Sequence, residues 1–168
     1  MRPARRPEIP AIAAVAAAAY APHRHRRPAP VWAAHVAETC DIGRRWDESV
    51  TLVAEVGGAI VGTVAFYGQA MGLPSGWAGL RALAVDPSAQ GRGVGRALTL
   101  DCVARARAAG REALAVHTSA ELASAMALYR ALGFRRCPEH DADATALLGF
   151  AGEAPSPLVA LKLDLRDG

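Results

Sequence analysis

Three glycines alternate with larger residues in Gln90-Gly91-Arg92-Gly93-Val94-Gly95-Arg96, between an apolar run that ends at Val85-Asp86-Pro87 and a helical pattern that follows. Missing side chains let backbone N–H groups approach a ligand closely, and a helix starting there aims its positive dipole end at the same spot. That combination suits a phosphate or pyrophosphate, and Arg92 and Arg96 can add charge-assisted contacts. Two other glycine patterns fail here. A P-loop closes on Gly-Lys-Ser/Thr, whereas Gly95 is followed by Arg96-Ala97. A GxGxxG fingerprint starting at Gly91 needs glycine at position 96, which is arginine. A ligand-free turn accounts poorly for three alternating glycines beside two arginines.

Other reactive side chains are sparse. Cys40, Cys102 and Cys137 are odd in number, widely spaced and form no CxxC, so neither a disulfide framework nor a metal site is expected. Reduced thiols in a cytoplasmic protein follow as the default. The basic cluster His23-Arg24-His25-Arg26-Arg27, flanked by Pro22 and Pro28, reads as a solvated loop, with an anionic or nucleic-acid contact as the lesser alternative.

The elements that must position the glycine turn alternate in type. Ile12, Val15, Ala16, Ala19 and Tyr20 form one stripe at helical period, with Pro10 in the first turn and Pro22 as the stop. Arg5-Arg6 before an Ala-rich run resembles a secretory or twin-arginine leader, but the alanine middle is weakly hydrophobic and the amphipathic helix is preferred. A second helix is expected around 31–39. Residues 50–56 and 59–67 are β-rich runs joined by Gly57-Gly58, a tight-hairpin signal. A loop over 68–76 leads to a strand at 77–85. A helix over 93–109 stops at Gly110, followed by a strand at 112–117, a helix at 120–132 and strands at 134–137 and 158–165. A polar loop separates those last two strands. The expected fold is a single mixed α/β domain over 1–168.

Composition agrees and narrows the classes. The 168 residues carry a net charge of +3, and 52% belong to the hydrophobic class, but 39 of them are alanine. What remains is enough for one core and excludes an intrinsically disordered chain. No apolar run reaches the ~18 residues of a membrane-spanning helix. Arginine supplies 18 of the 19 basic residues, which reads as the codon bias of a GC-rich bacterial genome. Acidic residues are interspersed throughout, so neither a nucleic-acid nor a membrane partner is expected.

The pattern Gln90-x-x-Gly93-x-Gly95, after Leu83-Ala84-Val85-Asp86-Pro87, resembles the acetyl-CoA signature of the GCN5-related N-acetyltransferase (GNAT) family. Ala106-Arg107-Ala108-Ala109-Gly110 is similar to the end of that family's signature helix. Leu128-Tyr129-Arg130-Ala131-Leu132-Gly133-Phe134 is similar to its second motif. The signature residues cover about 80–134.

The resemblance implies a mixed central sheet with splayed parallel strands, flanked by helices, and an acetyl-CoA-dependent transfer of an acetyl group to a primary amine of a small molecule or protein. It places the pyrophosphate on the turn formed by Gln90, Gly91, Arg92, Gly93, Val94, Gly95 and Arg96. Pantetheine and the acetyl end fall on Leu83, Ala84 and Val85, with the Val85 N–H polarising the thioester carbonyl. It makes Tyr129 the donor of a proton to the leaving sulfur. A homodimer is common in the family. Departures bear on the chemistry. Several members carry a strand glutamate where this chain has Arg81 and Ala82, which leaves His117, Glu38, Asp41, Asp47, Glu48 or water as the base that deprotonates the amine. Leu122 stands where the family often has asparagine, and the first strand is expected to be missing or cut short. The alternative is a non-catalytic domain of the same fold that binds an acyl-CoA for sensing.

Overall fold

A computed structural model describes residues 1–26, 28–70, 72–150 and 153–166. Its strands are β1 (Arg2–Pro3), β2 (Val50–Val56), β3 (Ala59–Tyr67), β4 (Trp77–Val85), β5 (Ala113–Thr118), β6 (Arg135–Arg136), β7 (Ala142–Asp143) and β8 (Pro157–Asp164). Its α-helices are α1 (Ile9–Tyr20), α2 (Ala29–Cys40), α3 (Val94–Ala108), α4 (Ala123–Ala131) and α5 (Ala144–Leu147). One sheet runs in the order β1-β2-β3-β4-β5-β8-β6, with β7 attached to β8. Among the described strands only β4 and β5 pair in parallel, because α3 carries the chain back across the sheet between them.

The alternation of strand side chains sorts the core onto two faces. Leu52, Val64, Phe66, Leu80, Leu114 and Val116 meet Leu98, Cys102, Val103 and Ala106 of α3 and Met126 and Tyr129 of α4. Val53, one residue out of phase with Leu52, instead meets Ile12 of α1 and Ile42. Ile12, Val15 and Ala16 are the buried residues of α1, so the helical stripe packs on the sheet as expected. The first strand is cut to two residues, pairing Arg2 with Val53 and Pro3 with Leu52.

The remaining differences lie at element ends and in the late loop. The helix at 120–132 begins at Ala123 instead, and α2 starts two residues before the expected Val31, at Ala29. The stretch between the last two strands contains β7 and α5, with Asp143 accepting from the Ala146 N–H at 2.9 Å as the helix cap. Of the basic cluster, 23–26 form the end of a 3-10 turn that spans Ala21–Arg26, and Arg26 pairs with Glu121 at 3.3 Å. Arg27, Met71 in the 68–76 loop and 151–152 in the late loop fall outside the described residues. No described helix is long and apolar enough to cross a membrane.

Candidate active site

The middle of β4 holds the irregularity that opens the sheet. Thr63 pairs with Ala84 and Ala65 with Arg81, so three steps on β4 oppose two on β3. The extra residue is a β-bulge, and Ala82 takes it up at φ 53°, the only non-glycine with positive φ among the described residues. A left-handed alanine costs roughly 1–2 kcal/mol, which the surrounding pairing must offset. On the other side, β4 pairs with β5 only at Trp77–Ala113, Ala78–Leu114 and Gly79–Ala115. Both strands continue, to Val85 and Thr118, without pairing further. They therefore diverge around a wedge of about 100 Å³.

Ladder alternation tells which backbone groups face that wedge. The Asp86 N–H donates to the Val61 carbonyl at 2.9 Å. In an antiparallel pair, hydrogen-bonded and non-bonded positions alternate, so Thr63–Ala84 is bonded and Gly62–Val85 is not. The N–H and C=O of Val85 thus turn away from β3, toward the gap that β5 has left, as do those of Leu83. Their carbonyls are found there by side chains: Gln90 Nε2 donates to Val85 O at 3.1 Å, and the Tyr20 hydroxyl to Leu83 O at 3.3 Å. The N–H and C=O of Ala84 are bonded to β3 and so turn away from the wedge.

Beyond Val85 the chain is shaped to present N–H groups. Asp86 accepts from the backbone N–H of Ser88 at 2.9 Å and from its hydroxyl at 2.6 Å, bonds that hold the Asp86 carboxyl below its ordinary pKa. Gly91 and Gly93 then adopt φ 73° and 80°, and the space a Cβ would occupy at either is open. Gly93 caps α3, whose first internal bond runs from the Ala97 N–H to Gly93 O at 2.9 Å. The N–H groups of Val94, Gly95 and Arg96 are left as the free donors of the helix start. Arg92 and Arg96 are exposed and make no ion pair among the described residues. Open space before α3, the free N–H groups of the helix start and two exposed arginines coincide here.

Gly62 explains how α3 can start so close to the sheet. A Cβ on it would lie 2.7 Å from Val94 Cγ1 and 3.1 Å from Leu98 Cδ1. Sequence reasoning had no means to single it out, since the contact joins residues of different elements.

Tyr20, Arg81, His117, Leu122 and Tyr129 close the wedge. Tyr129 is 3% exposed, its ring tilted against Phe134 at 5.3 Å, and burial raises its phenol pKa well above the ordinary value. Its hydroxyl has no hydrogen-bond partner among the described residues. Tyr20 is accounted for by the helical stripe alone in sequence, yet its hydroxyl reaches the β4 backbone. Arg81 pairs with Glu38 of α2 at 3.3 Å and lies over the Tyr67 ring at 6.0 Å. Arg45, buried, fixes that end of α2 by donating to the carbonyls of Glu38 at 3.0 Å and Thr39 at 2.6 Å. A second cavity of about 280 Å³ adjoins the wedge through Tyr20 and Leu122 and includes His23, Trp32, His35 and the Arg26–Glu121 pair. No cluster of three or more His, Cys, Asp or Glu side chains among the described residues could hold a metal ion.

Comparison with known proteins extends these observations. The chain resembles the ribosomal-protein-alanine N-acetyltransferase of Brucella melitensis, with 23% identity over 98% of each chain and a TM-score of 0.67. It also resembles a GNAT family acetyltransferase from the same organism, solved in complex with acetyl-CoA, at 28% identity over 80% of each chain and a TM-score of 0.60. A third likeness is yncA, a putative acetyltransferase of Salmonella typhimurium solved with acetyl-CoA, at 19% identity over 99% of this chain and 94% of that one, TM-score 0.67. No curated protein matches. The model of the acetyltransferase (GNAT) family matches residues 15–134, from the sheet-facing side of α1 through the bulged strand and glycine turn to Phe134, and the chain belongs to that family.

Proposed function

We propose that this protein is an acetyl-CoA-dependent N-acetyltransferase that passes an acetyl group to a primary amine of a small molecule or protein. The observation that carries it is the bulged end of β4, whose Leu83 and Val85 backbone groups face the wedge in line with the free N–H groups of Val94, Gly95 and Arg96. Acetyl-CoA supplies an activated acetyl thioester. The turn from Gln90 to Arg96 holds its pyrophosphate through backbone N–H groups, and Arg92 and Arg96 add charge. Gln90 braces the turn by its bond to Val85 O. The Val85 N–H pairs with the pantetheine arm. The Leu83 N–H polarises the thioester carbonyl, because Leu83 lies within the wedge beside Tyr20 and Tyr129, two residues deeper than the Val85 N–H favoured from sequence. Tyr129 keeps its proton at working pH and gives it to the leaving sulfur. The adjoining cavity receives the acceptor. Free thiols at Cys40, Cys102 and Cys137, two of them buried, suit a reducing cytoplasm.

Purified protein given acetyl-CoA and a panel of primary amines and N-terminal peptides should release free thiol with at least one acceptor. Gly93→Val should raise the calorimetric Kd for acetyl-CoA at least tenfold, since the side chain enters the space left open before α3. Thiol release from no acceptor, with tight acetyl-CoA binding, would favour the non-catalytic acyl-CoA-binding alternative instead.

A further inference from the structure

Four titratable side chains line the wedge: Tyr20, Arg81, His117 and Tyr129. Arginine stays protonated, and Tyr129 is pushed upward by burial. Histidine is the one whose ordinary pKa suits a base near neutrality. None of the carboxylates offered by the sequence lines the wedge. Glu38 is paired with Arg81 at 3.3 Å and Asp47 with Arg6 at 3.2 Å. Asp41 accepts from the Arg44 N–H at 3.0 Å, and Glu48 is exposed and lines neither cavity.

His117 follows Ala113 and Ala115 along one face of β5, the face opposite α3 and α4. Its Nε2 lies 2.8 Å from the carbonyl oxygen of His140, in the 3-10 turn Pro138–His140. A carbonyl only accepts, so Nε2 carries the hydrogen and Nδ1 of the neutral ring is a bare lone pair. That nitrogen has no partner among the described residues. The cavity beside the wedge, lined by Tyr20 of α1 and by Trp32 and His35 of α2, offers the acceptor amine an approach away from α3 and α4.

We propose that His117 Nδ1 takes the proton from the ammonium group of the acceptor, and that the His140 carbonyl holds the tautomer that leaves Nδ1 free. This rests on the N-acetyltransferase reading above. The proton passes from R–NH3+ to Nδ1, which gives a neutral amine with its lone pair and an imidazolium still bonded to the His140 carbonyl. The imidazolium then returns the proton to water. Three ion pairs lie on the surrounding elements: Asp141 with Arg136, Arg81 with Glu38, and Lys162 with Asp164. Glu139 and His140 in the turn, Tyr20 and Tyr129 complete the titratable surroundings. Asp141 is the carboxylate with a direct charge interaction with His117.

The test compares wild type with His117→Gln and His117→Ala. Wild-type kcat/KM for a responsive amine should fall on the acid side of neutrality. Both variants should lose about 10²–10⁴-fold at pH 7 and recover as rising pH deprotonates the amine in solution. Added imidazole should restore part of the rate of His117→Ala. Acetyl-CoA Kd within twofold of wild type checks that the donor site is intact. Long-range 1H–15N NMR of the unliganded protein should show His117 as the Nε2–H tautomer, a readout that needs no turnover and that decides the matter if both variants fail to fold. An active wild type whose variants keep both rate and acid limb overturns the proposal, as does an Nδ1–H tautomer. A wild type that releases no thiol with any amine sinks the acetyltransferase reading itself, and the base with it.

Discussion

Tyr129 combines a packing role with a chemical one, and its environment keeps the two separable. Its ring lies against Phe134 and within the core formed by α3, α4 and the sheet. Phenylalanine preserves that packing, and no hydrogen bond of the hydroxyl among the described residues would be lost. Tyr129→Phe should therefore shift stability by less than about 1 kcal/mol, while kcat falls roughly 10²-fold and the KM for acetyl-CoA changes little. The sign of the pKa effect adds a check. Desolvation raises the phenol above its ordinary value, so the protonated donor persists through alkaline pH. Wild-type kcat should show no decline attributable to Tyr129 up to about pH 10, where an ordinary tyrosine would be half ionised. Steady-state rates against pH, beside thermal melts of both proteins, measure this. An unchanged kcat in Tyr129→Phe would return the residue to the core.

Packing of α3 on the sheet is the element-level condition for the glycine turn to work. The Cβ of an alanine at position 62 would sit 2.7 Å from Val94 Cγ1, closer than side chains tolerate, and 3.3 Å from Ala84 O, a tight contact. Gly62→Ala should push the first turn of α3 outward and cost about 1–3 kcal/mol. It should also raise the acetyl-CoA Kd several-fold, because the free N–H groups move with the helix. Val94→Ala in the same chain removes the clashing Cγ1 and should recover most of both losses; thermal melts and calorimetry read the two effects together. Strand ends were legible beforehand where turn residues mark them: Val50–Val56, Ala59–Tyr67 and Trp77–Val85 lie where the Gly57-Gly58 link and the Asp86-Pro87 stop put them. The glycine turn was legible too, since Gly91 and Gly93 need no partner to reveal their use. Ala82, Gly62 and Tyr20 were not. The bulge at Ala82 depends on β3 across the sheet, the glycine at 62 on a helix some thirty residues later, and the Tyr20 hydroxyl on a carbonyl in β4. Periodicity reports which face of an element is buried, and is silent on which atom of another element it meets.

Across the whole molecule, the sheet's far edge and the candidate base are tied together by one carboxylate. Asp141 accepts two bonds from Arg136, at 2.6 and 2.7 Å, and one from the Ala160 N–H at 2.8 Å. It thereby joins β6, β8 and the turn whose His140 carbonyl holds His117. These bonds, the Arg136 hydrogen bond first among them, lower the Asp141 carboxyl to about 2. A carboxyl whose folded pKa lies below its unfolded value stabilises the fold above the unfolded pKa, near 3.9, and loses that contribution as pH falls through the folded one. The difference in stability between wild type and Asp141→Asn should therefore be constant above about pH 5 and shrink between about pH 4 and pH 2. Taking the difference matters, because Glu8, bonded to Arg2 and Arg5 where β1 meets α1, is lowered as well and loses its contribution in acid in both proteins. At pH 7, Asp141→Asn should also lower kcat/KM for the amine without changing acetyl-CoA affinity, since the clasp orients the turn beside His117 and touches nothing at the glycine turn. Denaturant melts across pH 2–7 test the first half, and steady-state rates with calorimetry at pH 7 test the second. A pH-independent stability difference would show that the Arg136–Asp141 pair is only a solvated surface contact.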